Sequence, residues 1–173
     1  MKIKQIKELN SIQKMEILKI WNDEYPSSLT YNNITEFEIY LDKLINSEHF
    51  IAYINNRIVG WIVKFIREEK NWFVIMVSSQ EQGKGIATKL IETIKRNSTE
   101  LNGWVINTEN YTKQNGQAYK SPIGFYKKIG FEITKDRLEN ERLSAVQIKW
   151  TKKPAGNTAY NCFASSLRSC HCG

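Results

Sequence analysis

The chain has 173 residues, 41% of them hydrophobic, with 25 lysines and arginines against 18 aspartates and glutamates, a formal net charge of +7. That length and composition suit one domain with a full core and exclude a chain too polar to fold. No apolar run reaches the ~18 residues of a membrane-spanning helix. Met1-Lys2-Ile3-Lys4-Gln5 lacks the apolar stretch of a secretory signal, so a cytoplasmic location is expected.

Taken in chain order, Lys2–Ile6 reads as a short strand. Apolar residues at 12, 15, 17, 18, 20 and 21 predict a helix over Ile12–Tyr25, stopped by Pro26. Thr35 reads as the N-cap of a second helix carrying Phe37, Ile39, Tyr40, Leu41, Leu44 and Ile45. Phe50–Ile54 and Ile58–Ile66 form a hairpin around Asn55-Asn56-Arg57, where asparagine tolerates the left-handed turn conformations. A polar turn, Glu68-Glu69-Lys70-Asn71, leads to the apolar run Trp72–Val77, which predicts a central strand buried on both faces. Ser78–Gly85 is polar and opens into a helix with Ile86, Ala87, Leu90, Ile91 and Ile94 on one side. Trp104–Asn107 reads as a strand, Ser121-Pro122 as the start of a short helix, and Phe131–Thr134 and Ala145–Trp150 as closing strands.

After Lys153 the composition shifts. Residues 154–173 hold no acid, one basic residue (Arg168) and all three cysteines, Cys162, Cys170 and Cys172. They read as an appended tail, disordered or of cloning origin, which leaves 1–153 as the domain. No disulfide framework is expected of that domain. Cys170-His171-Cys172 does not make a metal site by spacing, because adjacent side chains rarely converge on one ion and no second ligand pair exists. The positive charge admits an anionic partner. The cations are interleaved with acids, so a nucleic-acid footprint is not favoured over a lysine-rich surface.

The chemistry concentrates at Val77-Ser-Ser-Gln-Glu-Gln82-Gly83-Lys84-Gly85-Ile86-Ala87-Thr88, where a buried strand gives way to a glycine-bearing turn and a helix start. Free N–H groups and the helix dipole make such a junction an anion site, and glycine lets a phosphate approach the backbone. The Walker A pattern is absent, and the Rossmann pattern fails at its third glycine, where Thr88 stands.

The segment resembles the GNAT family, the GCN5-related N-acetyltransferases. Gln82, Gly85 and Ala87 meet the family's Gln/Arg-x-x-Gly-x-Gly/Ala pattern, and Gly124-Phe125-Tyr126-Lys127-Lys128-Ile129-Gly130-Phe131 looks like its Phe-Tyr-x-Lys-x-Gly-Phe segment. The resemblance spans roughly residues 1–150. It implies an α/β fold with a mixed, largely antiparallel sheet, helices on both faces, and strands splayed near Val77 at the cofactor site. It implies acetyl-CoA as cosubstrate, with Ile75, Met76 and Val77 along the pantetheine arm. Gln82, Gly83, Lys84, Gly85, Ile86, Ala87 and Thr88 would lie around the pyrophosphate, and Tyr126 near the thioester sulfur as general acid. Many relatives carry Asn seven residues before that tyrosine, in contact with CoA; Tyr119 stands there. Many also carry a carboxylate on the strand before the loop, and Trp72–Val77 has none. Glu68, Glu69 and Glu109 are then the candidates to take the amine's proton, while Asp23 and Glu24 could attract a cationic amine on the acceptor side.

The resulting expectation is an N-acetyltransferase acting on a primary amine of a small molecule or peptide, with no metal, no membrane contact and room for a homodimer. Two other readings stay open: a non-catalytic CoA-binding module, and an RNA- or ribosome-associated protein on the same fold. An aromatic set, Trp21, Tyr25, Tyr31, Trp61, Phe65 and Trp72, divides between core and acceptor pocket.

Overall fold

The structure is a computed structural model that describes residues 1–153. The expected tail, with Cys170-His171-Cys172, lies outside the described residues. The elements are β1 (Lys2–Ile6), α1 (Ser11–Glu24), α2 (Ile34–Asp42), β2 (Ile45–Ile54), β3 (Arg57–Arg67) and β4 (Lys70–Val77). After these come α3 (Ile86–Lys95), β5 (Glu100–Val105), α4 (Ile123–Lys128), β6 (Glu132–Glu139) and β7 (Ser144–Thr151). The strands form one seven-stranded sheet in the order β1-β2-β3-β4-β5-β7-β6. All neighbours are antiparallel except β4 and β5.

Strand alternation divides the core. Trp61, Val63 and Phe65 of β3 face Ile17, Trp21 and Phe37 of α1 and α2. Ile62 and Phe73 face Leu90, Ile91 and Ile94 of α3 and Tyr126 of α4. Each fully buried aliphatic side chain contributes about 1.5–3 kcal/mol. Gly60 lets α3 approach: a Cβ there would stand 3.2 Å from Leu90 Cδ1 and 3.2 Å from the Met76 carbonyl oxygen. This is the expected mixed, largely antiparallel sheet with helices on both faces.

Several boundaries differ from the sequence expectation. The second helix is capped by Asn33, whose side chain accepts from the Glu36 N–H, so Thr35 lies inside the helix and Ile45 belongs to β2. β2 starts five residues before Phe50, with a register shift between Ile45 and Glu48 that interrupts its apolar alternation. The strand placed at Trp104–Asn107 is β5, which ends at Val105 and begins at Glu100. β6 runs on to Glu139 because it is the sheet's edge, where polar residues meet water. Val74 and Ile75 of β4 are only half-buried, because the sheet parts beside them.

That parting positions the site. β4 pairs with β3 along its whole length but with β5 at a single rung, Trp72 opposite Asn102. The Asn102 side chain, fully buried, ties this rung shut: it donates to the Asn71 carbonyl at 3.1 Å and accepts from Gln147 Nε2 at 3.0 Å. Toward Val77 and Val105 the two strands share no further rung, so the sheet is splayed where the resemblance placed the cofactor.

Candidate active site

The loop after β4 makes one 3-10 turn, Ser79–Glu81, and then passes through Gly83 and Gly85, both at φ +77°. Gly85 is the N-cap of α3, which has no side-chain cap and no acid in its first turn. Among the described residues, the N–H groups from Gly83 to Thr88 donate to no acceptor. They form a run of unspent donors at the positive end of a helix dipole. A Cβ at Gly83 or Gly85 would meet nothing within 4 Å, so the positive φ requires glycine there and the space before the donors is open.

The side chains around the loop are largely committed to the loop itself. Gln82 Nε2 donates to the Val77 carbonyl at 2.9 Å and to Glu24 Oε2 at 3.3 Å. Glu24 Oε1 accepts from the Ser79 N–H at 2.6 Å, and Oε2 accepts from Lys113 Nζ at 2.7 Å. Lys84 Nζ lies 2.9 Å from Glu81 Oε2, and Arg57 approaches the same buried carboxylate at 3.6 Å. Met76 and Val77 put their side chains into the two core layers.

A small cavity lies in the gap between β4 and β5, with lining residues from both core layers. Phe73, Ile75, Val105 and Tyr126 line it from the α3–α4 side, and Tyr25, Val74 and Trp104 from the α1 side. Tyr126 is buried, with its ring 5.2 to 6.1 Å from those of Phe125, Phe131 and Phe73. Burial, and then the neighbouring Tyr119 phenol, push its hydroxyl well above the ordinary phenol range. Burial pushes Tyr119 up to about 12, and its ring joins Ile106 and Ala145 in a small separate core. Burial also raises Tyr25, with the Tyr119, Tyr40 and Tyr126 phenols adding to the shift. Of these, Tyr25 and Tyr126 line the gap, and burial raises both hydroxyls above the ordinary phenol range.

The proton-acceptor candidates are placed elsewhere. Glu68 and Glu69 are exposed in the β3–β4 turn at φ 50° and 59°. They lie beyond the closed Trp72–Asn102 rung, on the order of 25 Å along β4 from Val77 at about 3.3 Å per residue. Glu109 is exposed in the crossover after β5 and does not line the gap. Asp23 is exposed and paired with Lys19 at 2.6 Å. Glu24 is committed as described, so neither residue presents a free carboxylate to an amine. His49, the histidine of the domain, is structural: Trp61 Nε1 donates to its Nδ1 at 3.3 Å, and burial pushes its pKa down to about 4. Sequence reasoning missed Lys113 and the Asn102–Gln147 pair, whose partners are set only by the fold. Among the described residues no cluster of His, Cys, Asp and Glu could hold a metal ion.

Residues 46–133, from β2 through the loop and Tyr126 to the start of β6, match the acetyltransferase (GNAT) domain family. This is half of the chain, and the chain belongs to that family. It is an acyl-CoA-dependent N-acetyltransferase with acetyl-CoA as cosubstrate. Its fold is shared with an aminoglycoside 6'-N-acetyltransferase solved with coenzyme A, at a TM-score of 0.67 and 16% identity over 91% of this chain and 100% of that one. An aminoglycoside 6'-N-acetyltransferase from Enterococcus faecium gives 0.65 and 16% over 91% and 100%. A ribosomal-protein-alanine N-acetyltransferase from Brucella melitensis gives 0.59 and 15% over 88% and 100%. No curated protein matches the chain.

Proposed function

We propose that acetyl-CoA enters the gap between β4 and β5 from the loop end, and that a primary amine of a small molecule or peptide meets it from the α1 side. The observation that carries this reading is the run of unspent N–H groups from Gly83 to Thr88 at the outer end of the gap that holds Tyr126. Those groups take the pyrophosphate. Lys84 adds charge there if its ammonium turns from Glu81. The pantetheine arm runs beside the backbone of Ile75, Met76 and Val77, which lacks a partner strand on that side.

In the reaction the amine nitrogen attacks the thioester carbonyl carbon. A backbone N–H of β4 facing the gap holds the developing oxyanion. The C–S bond then breaks, and the Tyr126 hydroxyl hydrogen-bonds the departing sulfur, with Tyr119 beside it. No free carboxylate lines the gap among the described residues, so the amine's proton leaves through water. Catalysis rests mainly on positioning the two substrates. The lining on the α1 side, Tyr25, Val74 and Trp104, suits an amine with an apolar or aromatic body better than a polycation. A cytoplasmic setting, where acetyl-CoA is at hand, fits this reading.

The test is thiol release from acetyl-CoA across arylalkylamines, peptide N-termini, polyamines and aminoglycosides. Turnover with an apolar amine is expected. CoA binding without turnover on any amine would turn the reading to a binding module. Preference for aminoglycosides would overturn the assignment of the α1-side lining.

A further inference from the structure

Glu24, the last residue of α1, lies outside the gap, and its carboxylate is 9% exposed. It receives donors from two distant parts of the chain. Ser79 N and Gln82 Nε2 bracket the 3-10 turn that delivers Gly83, so one carboxylate fixes both ends of that turn. Gln82 passes the connection to the end of β4 through the Val77 carbonyl. Lys113, 13% exposed, comes from the crossover between β5 and α4, the segment that carries Tyr119 and leads to Tyr126. The crossover is seated against the residues after Glu24: Ser27 N donates to the Thr112 carbonyl at 2.9 Å, and Pro26 bridges Lys113.

We propose that Glu24 is a positioning residue for the cosubstrate, holding the loop so that its N–H groups stay free and, through Lys113, holding the crossover against it. The proposal rests on the pyrophosphate reading of that loop. Without the carboxylate, the Ser79 N–H and the Gln82 amide turn to the nearest acceptors, the loop's own carbonyls, and the turn rearranges. Lys113 is left as a buried cation without its partner. Without Lys113, the Glu24 carboxylate stands uncompensated beside the place where pyrophosphate binds. Removing both charges together while keeping an oxygen acceptor removes both penalties.

The test is calorimetric affinity for CoA and for ADP, which carries a pyrophosphate without the pantetheine arm, in folded variants with melting temperatures measured alongside. Glu24→Ala is expected to weaken both ligands by about ten- to hundredfold, the scale of one charge-assisted hydrogen bond. Lys113→Met weakens them by about tenfold, Glu24→Gln by less because the unpaired Lys113 ammonium attracts the same anion, and the Glu24→Gln/Lys113→Met double variant recovers most of the Lys113→Met loss. With an acceptor in hand, the KM for acetyl-CoA rises while kcat stays nearly constant. Adding Lys113→Met to Glu24→Ala gives no rescue, because Ser79 keeps no acceptor. Wild-type affinity in Glu24→Ala, even at a lowered melting temperature, overturns the proposal and leaves Glu24 as a stability contact. Should Glu24→Ala fail to fold, Lys113→Met and the Glu24→Gln/Lys113→Met double variant decide alone, and a double variant that binds no better than Lys113→Met overturns it. Gly85→Glu run in parallel separates the two levels: normal CoA affinity in that variant removes the pyrophosphate reading itself, and the proposal with it.

Discussion

Replacing Tyr126 by phenylalanine removes one oxygen and keeps the ring. The ring's packing on Phe73, Phe125 and Phe131 is retained, and the hydroxyl takes part in no side-chain hydrogen bond among the described residues. The stability change should therefore stay within about 0.5 kcal/mol, since no intramolecular hydrogen bond is lost. The effect on chemistry should be larger. With its pKa pushed well above the ordinary value by burial, the phenol keeps its proton across the assay range. A free thiol titrates near 8.5, below any phenol, so full proton transfer to the departing sulfur is uphill and the thiolate is already a fair leaving group. Assistance is a hydrogen bond that strengthens as charge develops on sulfur, and its loss should lower kcat by about 10- to 1000-fold, or ~1.4–4 kcal/mol of barrier. Calorimetry should give unchanged acetyl-CoA affinity, and thiol release under saturating amine should give the rate. Equal turnover in the Phe variant would reduce Tyr126 to packing. Equal losses of affinity and turnover would make it a binding residue instead.

Gly85→Glu places a side chain at φ +77° and a negative charge before the unspent N–H groups, so CoA binding should be lost while the fold survives; calorimetry on the folded variant checks it. Removal of residues 154–173 should leave melting temperature and CoA affinity nearly unchanged, and a fall of many degrees would show that the tail packs on the domain. His49 makes stability depend on pH. Its folded pKa of about 4 lies below the ordinary 6.5, so the stability of the neutral form is complete above pH ~6.5 and lost as pH falls toward 4, at up to about 1.4 kcal/mol per unit. Urea melts of wild type and His49→Gln at pH 7 and pH 5 should show a smaller pH slope in the variant.

The elements legible in the sequence are those whose pattern has a local cause. Trp72–Val77 is apolar because β4 sits mid-sheet between two core layers, and α3 is amphipathic because one side packs on β3 and β4. The glycines at 83 and 85 are legible because a positive φ at a helix start demands them. β6 reads short in the sequence because an edge strand has a neighbour on one side only, and its exposed residues carry no period. The acids are harder to place from sequence. Glu68 and Glu69 stand near β4 in sequence, yet strand geometry carries them away from the gap. Glu24 and Lys113 are brought together only by the folding of α1 and the crossover onto the loop.

The two halves of the site differ in what they ask of the sequence. In the proposed site, binding of the cosubstrate draws on backbone donors, so the residues that mark it are those that shape a turn. Gln82 illustrates this: its amide is spent on Val77 and Glu24, and it fixes the turn without having to touch the ligand. A backbone site tolerates most side chains between its glycines, which leaves a short and recurrent motif. Selection of the acceptor in that proposal draws instead on side chains such as Tyr25, Val74 and Trp104, from three separate elements or their ends. Their convergence depends on the splay of β4 from β5, whose closed end is tied by the Asn102 amide donating to the Asn71 carbonyl. No spacing along the chain records such a convergence, which is why the cosubstrate can be read from the sequence while the acceptor has to be found by assay.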